Sequence, residues 1–117
     1  MVVFPHSHAL AMDPAVEKTI DHLLEVVEES HCTFIRNDKA HDSKDAAQHI
    51  KKKYGYFKNK IDTPEEFIEL CASKSLMSGK PYMVRCEGEK KMPTADWLRA
   101  ALDDYRNNNQ QANSPKE

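Results

Sequence analysis

The chain has 117 residues, which suffices for one domain of ordinary size but not for two. Its 17 basic and 19 acidic residues give a net charge of −2, which excludes a general polyanion-coating protein and a strongly acidic disordered one. No stretch approaches the roughly 20 consecutive apolar residues that a membrane span needs. Only three glycines occur, which argues against a sandwich or barrel with many tight turns.

The two ends of the chain differ in composition from its middle. Residues 1–12 include the small-x-small sequence Ala9-Leu10-Ala11, which is typical of a signal-peptidase site, but they lack a basic n-region. We interpret them as a disordered N-terminal segment, either the remnant of a secretory signal or a frayed cytosolic N-terminus. Residues 107–117 are rich in Asn and Gln and predict a disordered tail. One domain is therefore expected at 13–106.

Four amphipathic helices are predicted from capping signals and apolar spacing. The first begins with Pro14 at its first helical position, the second ends at Gly55, and the third carries a Thr63–Glu66 capping box. The predicted N-caps are Asp13, Ser43, Thr63 and Thr94. The faces predicted to be buried are Val16, Ile20, Leu23, Leu24 and Val27, then Ala46, Ala47, Ile50 and Tyr54, then Phe67, Ile68, Leu70 and Cys71, and last Trp97, Leu98, Ala101, Leu102 and Tyr105.

Two short segments have the β-branched and aromatic composition of strands. They are Cys32–Arg36, followed by the turn-forming Asn37-Asp38, and Tyr82–Cys86, which follows Gly79-Lys80-Pro81. The predicted order is α-β-α-α-β-α. We therefore expect an α+β fold in which four helices pack on a minimal antiparallel sheet of two strands, because such a small sheet needs helices to cover it.

Strand register makes two of the three cysteines informative. An antiparallel pairing predicts the opposed pairs Cys32–Cys86, Phe34–Val84 and Arg36–Tyr82, all on one face. Opposed Cα atoms lie within the range that a disulfide tolerates, and the bridge would close a loop of about 55 residues, contributing about 4 kcal/mol. A parallel pairing would separate the two cysteines by about 13 Å and leave all three reduced. Cys71 is expected to be a small buried hydrophobe.

Five segments in the same order along the chain match a known sequence pattern: Phe34-Ile35-Arg36-Asn37, Ala46-Ala47-Gln48-His49-Ile50, Ile61-Asp62-Thr63-Pro64-Glu65-Glu66-Phe67-Ile68, Ala72-Ser73-Lys74-Ser75 and Ser78-Gly79-Lys80-Pro81-Tyr82. Through these segments the sequence resembles the YfeK-like family, small exported proteins of Gram-negative bacteria with a domain of unknown function. The resemblance runs from about residue 15 to residue 105. It implies export to the periplasm and no known reaction, ligand or cofactor. One departure is Asp38, where the family pattern usually has Gly, so we expect the turn to differ.

The best candidate site combines the strand ends with the loops beside them. A guanidinium at Arg36 can bind an anionic or peptide-like ligand through two parallel hydrogen bonds. A structural interpretation stays open, in which Arg36 pairs with a carboxylate and His49 bonds to a backbone carbonyl. In this interpretation the serines of the loop before the second strand bond to turn amides. The candidate ligand-binding residues are Arg36, Asn37, His49, Ser73, Ser75, Lys80 and Tyr82. Ser78 lies in the same loop as Ser73, Ser75 and Lys80.

Other chemistry has weaker support in the sequence. His6 and His8 could chelate a metal adventitiously, but no group of residues has the closed ligand spacing of a metal site, and no cofactor is predicted. No nucleophile elbow occurs, so we expect a binding module for an envelope protein, a peptide or another envelope component. A small envelope hydrolase using His49 with a nearby Ser or carboxylate is the alternative. The basic and aromatic run Lys51–Lys60 suggests a nucleic-acid platform, but it is better explained by an inward Tyr54 and a solvated lysine face.

Overall fold

The computed structural model describes residues 12–113, with side chains described for residues 12–110. Within this range four α-helices and four β-strands form an α+β fold, as predicted. The predicted N-terminal segment 1–12 lies outside the described residues except for Met12, which packs against the core. The elements are α1 (Pro14–Glu29), β1 (Thr33–Arg36), β2 (Lys39–His41), α2 (Ser43–Phe57), α3 (Pro64–Cys71), β3 (Met83–Arg85), β4 (Met92–Pro93) and α4 (Thr94–Asn113), with a 3-10 turn at Lys58–Lys60.

The sheet has four antiparallel strands in the order β2-β1-β3-β4, so the prediction of two strands is wrong. Asn37 and Asp38 form a two-residue turn with φ values of 52° and 67°. Positive φ at both central positions is what a type I′ hairpin turn needs, and the turn leads directly into β2. The hydrophobic pattern of the sequence does not indicate β2, because this strand has three residues and is largely exposed. β4 has only two residues, Met92 and Pro93.

The central pair of strands has the register predicted from side-chain alternation. Phe34 of β1 lies opposite Val84 of β3, and Ile35 lies opposite Met83. Phe34 and Val84 are both buried, and the ring of Phe34 packs edge-to-face against Trp97 with centroids 5.6 Å apart. The buried face of the sheet therefore fixes the register, since a slip of one residue would expose both side chains.

The cysteines also adopt the predicted arrangement. Cys32 and Cys86 form a disulfide whose Cα atoms lie 4.4 Å apart, across a sequence separation of 54 residues. Cys71 is free and fully buried. Burial raises the pKa of the Cys71 thiol to about 11, so this cysteine remains a protonated hydrophobe at neutral pH.

Two of the four predicted helix starts are confirmed. Asp13 caps α1 by accepting a 2.8 Å hydrogen bond from the backbone N–H of Ala15, with Pro14 as the first helical residue. Thr63 and Glu66 form both hydrogen bonds of the capping box at the start of α3. These signals are local in sequence, which explains why they can be interpreted without tertiary information.

The other two predicted caps are wrong. Asp42 caps α2, since it has the extended backbone of an N-cap and accepts a 2.8 Å hydrogen bond from the N–H of Asp45. Ser43 is already helical, and its hydroxyl donates to the carbonyl of Glu28 at 3.0 Å. α4 begins at Thr94, but the Thr94 hydroxyl is buried and hydrogen-bonds to no atom of the described residues.

Two helices also extend beyond their predicted ends. α2 continues through Gly55 to Phe57, and α4 continues to Asn113. Residues 107–113 are therefore helical where the sequence predicts a tail. Asn and Gln are only mildly unfavourable inside a helix, and each residue added to an existing helix gains one backbone hydrogen bond. Positions 114–117 lie outside the described residues.

The core lies between the four helices and the central strands, and most of the predicted inward faces are buried in it. Phe67 is 1% exposed and packs edge-to-face against Tyr54, with ring centroids 5.4 Å apart. Tyr105 is only partly buried and stacks on His22 instead. The buried predicted residues are Ile20, Leu23, Val27, Ala46, Ala47, Ile50, Tyr54, Phe67, Ile68, Cys71, Leu98 and Leu102, whereas Val16, Leu24, Leu70, Trp97 and Ala101 are partly buried.

Candidate functional site

Three polar side chains meet where α2 crosses the chain segment just before β3. His49 and Lys53 lie one turn apart on α2, so they face the same side of the helix. Nε2 of His49 lies 3.1 Å from the hydroxyl oxygen of Tyr82, and Nζ of Lys53 lies 3.1 Å from the same oxygen. Lys53 also donates to the carbonyl of Lys74 at 3.0 Å. The sequence predicts Lys53 on a solvated face, but it is only 9% exposed, so that prediction is wrong for this lysine.

The direction of these hydrogen bonds follows from which groups have protons. An ammonium group can only donate, so the Tyr82 oxygen accepts from Lys53. The Tyr82 hydroxyl can then donate its own proton to Nε2 of His49, which requires a neutral imidazole with its proton on Nδ1. Burial is the main cause that raises the pKa of Tyr82. This hydroxyl therefore keeps its proton at neutral pH and can serve as that donor.

The pKa values of His49 and Lys53 reflect partial burial among positive charges. Burial, followed by the charges of Arg36 and Lys53, lowers the pKa of His49 to about 4. Burial is also the main cause that lowers the pKa of Lys53, with Arg36 adding to it. His49 is consequently neutral at pH 7, as its hydrogen bond from Tyr82 requires.

Arg36 is the last residue of β1. It directly follows Ile35, whose pairing with Met83 is the last pair between β1 and β3. It is half-buried, and among the described residues its guanidinium has neither an ion pair nor a hydrogen bond. Its positive charge contributes to the lowered pKa of both His49 and Lys53. The structure thus places an uncompensated cation next to a lysine that is nine-tenths buried, an arrangement that favours a bound anion.

These residues line a cavity of about 290 Å³. It adjoins a second cavity of about 280 Å³, because Leu76, His49 and Lys53 line both. We call this continuous surface the cationic groove. The first cavity is lined by Arg36, Asn37, His49, Lys53, Ser75, Leu76, Met77 and Tyr82, and the second by His49, Lys52, Lys53, Tyr56, Phe57 and Leu76.

The loop before β3 forms one wall of the groove and is tied to the β1–β2 turn. Ser78 donates through its hydroxyl to the side-chain oxygen of Asn37 at 2.5 Å. The Ser75 hydroxyl oxygen accepts from the Ser78 backbone N–H at 3.3 Å and from the side-chain amide of Asn37 at 3.4 Å. The backbone N–H of Gly79 donates to the Ser75 carbonyl at 2.9 Å, and Gly79 has a φ of 75°. This network holds the loop in place, so Asn37 and Ser75 serve in its support as well as in the lining.

The structure therefore brings together five of the seven predicted ligand-binding residues and leaves two outside the lining. Ser73 donates to the carbonyl of Glu69 at 2.6 Å. Lys80 forms an exposed ion pair of 2.7 Å with Asp38 of the turn. The five that line the first cavity are Arg36, Asn37, His49, Ser75 and Tyr82.

Sequence reasoning did not single out Lys53, Leu76 or Met77. A signal for Lys53 exists, since it lies three residues after the buried Ile50 and four after His49, on the inward stripe of α2. Leu76 and Met77 are apolar residues in a turn, and nothing in their local pattern indicates that they border a groove.

A smaller cavity of about 20 Å³ lies between β1, α2 and the start of α4. Its lining includes Thr94, whose hydroxyl has no described partner, together with Arg36 and His41. This volume suits a single water molecule with polar groups around it. His41 forms a separate contact of 2.6 Å with Asp45. Among residues 12–110 no three His, Cys, Asp or Glu side chains are grouped so that they could hold a metal ion.

The chain is a small disulfide-bonded α+β domain with a groove whose lining includes positively charged side chains. The chain belongs to DUF5329, a family of unknown function, whose sequence model matches residues 14–106. It is 48% identical over 50 residues to the uncharacterized protein YfeK of Salmonella typhimurium strain LT2, an alignment that covers 43% of this chain and 42% of that protein. The chain thus matches less than half the length of this relative. No solved structure matches. No helix in the described range is long and apolar enough to cross a bilayer.

Proposed function

We propose that this protein is a non-enzymatic binding module of the bacterial envelope that holds an anionic group of a protein, peptide or other envelope component in the cationic groove. The observation that carries this proposal is the guanidinium of Arg36, which has no carboxylate partner among the described residues and faces a cavity of about 290 Å³. A carboxylate or phosphate oxygen fits this environment because arginine can offer two parallel N–H groups.

Lys53 supports the same conclusion. Its ammonium uses two of its three N–H groups within the described residues, on the Lys74 carbonyl and the Tyr82 hydroxyl. Both partners are neutral, so the positive charge of Lys53 is also uncompensated. Burying an ammonium without a counter-charge costs free energy, and a bound anion would offset that cost.

The hydrolase alternative has less support from the same geometry. A general base needs a free lone pair within reach of a nucleophile. Nε2 of His49 is engaged by the Tyr82 hydroxyl, and the Ser75 hydroxyl bonds to Asn37 and Ser78 rather than to His49. The nucleic-acid alternative loses Lys53, which contacts Tyr82 inside the groove instead of solvent.

Export to the periplasm forms part of the proposal, and the disulfide between Cys32 and Cys86 supports it. Disulfides persist in oxidising compartments and are rare in the cytosol. Fractionation of cells followed by alkylation of the unfolded, unreduced protein tests this address. We expect the protein in the periplasmic fraction with one reactive thiol, that of Cys71. Three reactive thiols in protein from the cytosolic fraction would overturn it.

A titration with sodium acetate at constant ionic strength tests the binding site, followed by amide chemical shifts of the ¹⁵N-labelled protein. We expect saturable shifts around Arg36 and Ser75 that disappear in the Arg36→Gln variant. The matched control is Arg85→Gln, since Arg85 is an exposed arginine of β3 paired with Thr33 at the other end of the same strands. Shifts that are absent, or that survive in Arg36→Gln, would contradict the proposal.

A further inference from the structure

We infer that the anionic group recognised in the cationic groove is the C-terminal carboxylate of a peptide whose last side chain is apolar. This inference rests on the proposed function and specifies its ligand. It comes from the juxtaposition of an uncompensated arginine, Arg36, with two exposed apolar side chains, Leu76 and Met77, that line the same cavity.

The strongly exposed apolar side chains of the described residues are concentrated at the cationic groove. Within residues 12–110 three large hydrophobic side chains are strongly exposed: Met77 at 97%, Tyr56 at 82% and Leu76 at 64%. All three line the cationic groove, Leu76 and Met77 in the cavity with Arg36 and Tyr56 in the adjoining cavity. Scattered exposed apolar residues are ordinary, but their concentration at one concave site marks a surface that binds apolar groups.

Hydrogen bonds fix the loop that bears Leu76 and Met77 relative to the β1–β2 turn. Leu76 and Met77 lie between Ser75 and Ser78. The Ser75 hydroxyl oxygen accepts from the Ser78 backbone N–H and from the side-chain amide of Asn37, and the Ser78 hydroxyl donates to the side-chain oxygen of Asn37. Asn37 directly follows Arg36 in the chain. The loop that bears the two apolar residues is therefore tied to the residue that follows Arg36, which lowers the entropic cost of ordering this loop when a ligand binds.

An anion that fits this site has its charge close to an apolar group. A free C-terminus bears its carboxylate and its last side chain on one Cα atom, so a charge and an apolar group lie within a few ångströms of each other. An acidic side chain in the middle of a peptide lacks this arrangement. The second cavity, lined by Tyr56 and Phe57, extends the groove away from Arg36 and offers space for the preceding residue.

An anionic membrane surface is the competing partner, and the shape of the groove disfavours it. Lys53 is 9% exposed and bonded to Tyr82, so this charge lies at the floor of a concavity. Flat bilayer surfaces are met by protruding basic side chains rather than by recessed ones. A narrow peptide end can enter the groove and reach Arg36 and Lys53.

The test compares four acetylated tripeptides by chemical-shift titration of the full chain. They share two leading alanines and end in leucine as free acid, leucine as amide, serine as free acid, or aspartate as amide. We expect the leucine acid to bind at least about tenfold more tightly than its amide, which lacks the carboxylate for a charge-assisted bidentate contact. The aspartate amide should also bind more weakly than the leucine acid, because its carboxylate has no apolar group on the same Cα atom. The serine acid should bind several-fold more weakly than the leucine acid.

Two variants assign these differences to residues. Arg36→Gln should remove most of the preference for the leucine acid over the leucine amide. The double variant Leu76→Ser/Met77→Ser should remove the preference for leucine over serine and keep the preference for acid over amide. Arg85→Gln should change neither, and amide spectra establish that each variant is folded.

Equal affinities for the leucine acid and the leucine amide would overturn this inference. Equal affinities for the leucine acid and the aspartate amide would also overturn it. Binding of phosphatidylglycerol vesicles that depends on Leu76 and Met77, with no peptide binding, would assign the groove to a membrane instead. Acetate shifts that depend on Arg36 would in either case leave the proposed anion site standing. Absence of acetate shifts would remove both.

Discussion

Nζ of Lys53 lies 3.1 Å from the phenol oxygen of Tyr82, although the two residues are 29 positions apart in the chain. The contact sets the direction of hydrogen bonding across the floor of the cationic groove, from Lys53 to Tyr82 and from Tyr82 to His49. It leaves a buried positive charge facing a cavity that Arg36 also lines. The proposed function depends on this excess of positive charge.

Tyr82→Phe should destabilise the protein by about 1–3 kcal/mol, because Lys53 and His49 each lose a partner inside the groove. The free energy of unfolding in urea measures the loss. The control is a double-mutant cycle with Lys53→Met. The double variant should lose less than the sum of the two single variants, since both remove the same hydrogen bond. Additive losses would contradict the hydrogen-bond chain from Lys53 through Tyr82 to His49.

The free energy of unfolding should fall as the pH is lowered from about 6.5 to about 4. The pKa of His49 is lowered from 6.5 to about 4 in the folded protein, so the unfolded chain binds the extra proton first and gains stability from it. His49→Gln should remove this part of the pH dependence, whereas His22→Gln should retain it. An NMR titration that gives His49 a midpoint near 6.5 would contradict its burial among positive charges.

Replacing both Cys32 and Cys86 by serine should lower the free energy of unfolding by about 2–5 kcal/mol, as expected for removal of a native disulfide from a small domain. Their sequence separation of 54 residues makes the closed loop long. Dithiothreitol should shift the urea midpoint of the unaltered protein and leave that of the double variant unchanged. The same midpoint for both proteins without reductant would show that the bridge does not contribute.

Asp38→Gly should raise the melting temperature slightly, because Asp38 has a φ of 67°, where glycine avoids the steric cost of a Cβ atom. The ion pair with Lys80 is exposed, so its loss should matter less than the backbone. Asp38→Ala is the matched control and should lower the melting temperature, since alanine loses the ion pair and keeps the strain. Equal decreases in the two variants would show that the ion pair dominates.

The register of the central strands was predictable because two constraints agree. Alternation places Phe34 and Val84 on one buried face, and the same register brings Cys32 opposite Cys86. A single-residue slip would break both relationships. By contrast, β2 is short and exposed, so no hydrophobic alternation indicates it, and the type I′ turn at Asn37 and Asp38 is its only local signal.

The candidate site was predictable in part for the same reason. Arg36 and Tyr82 lie at matched strand ends, so the predicted register already brings them close. Lys53 was not predictable, because its burial depends on the Tyr82 hydroxyl and the Lys74 carbonyl, both more than 20 positions away in sequence. Lysine is rarely buried, and local pattern alone favours a solvated position for it.

The side-chain Nε–H resonance of Arg36 gives the most direct test of the central claim that this guanidinium binds an anion. It should be followed during an acetate titration at constant ionic strength, with the corresponding resonance of Arg85 as internal reference. We predict a saturable downfield shift for Arg36 alone, as a charge-assisted hydrogen bond forms. An unchanged Arg36 resonance, or equal shifts at both arginines, would contradict the account.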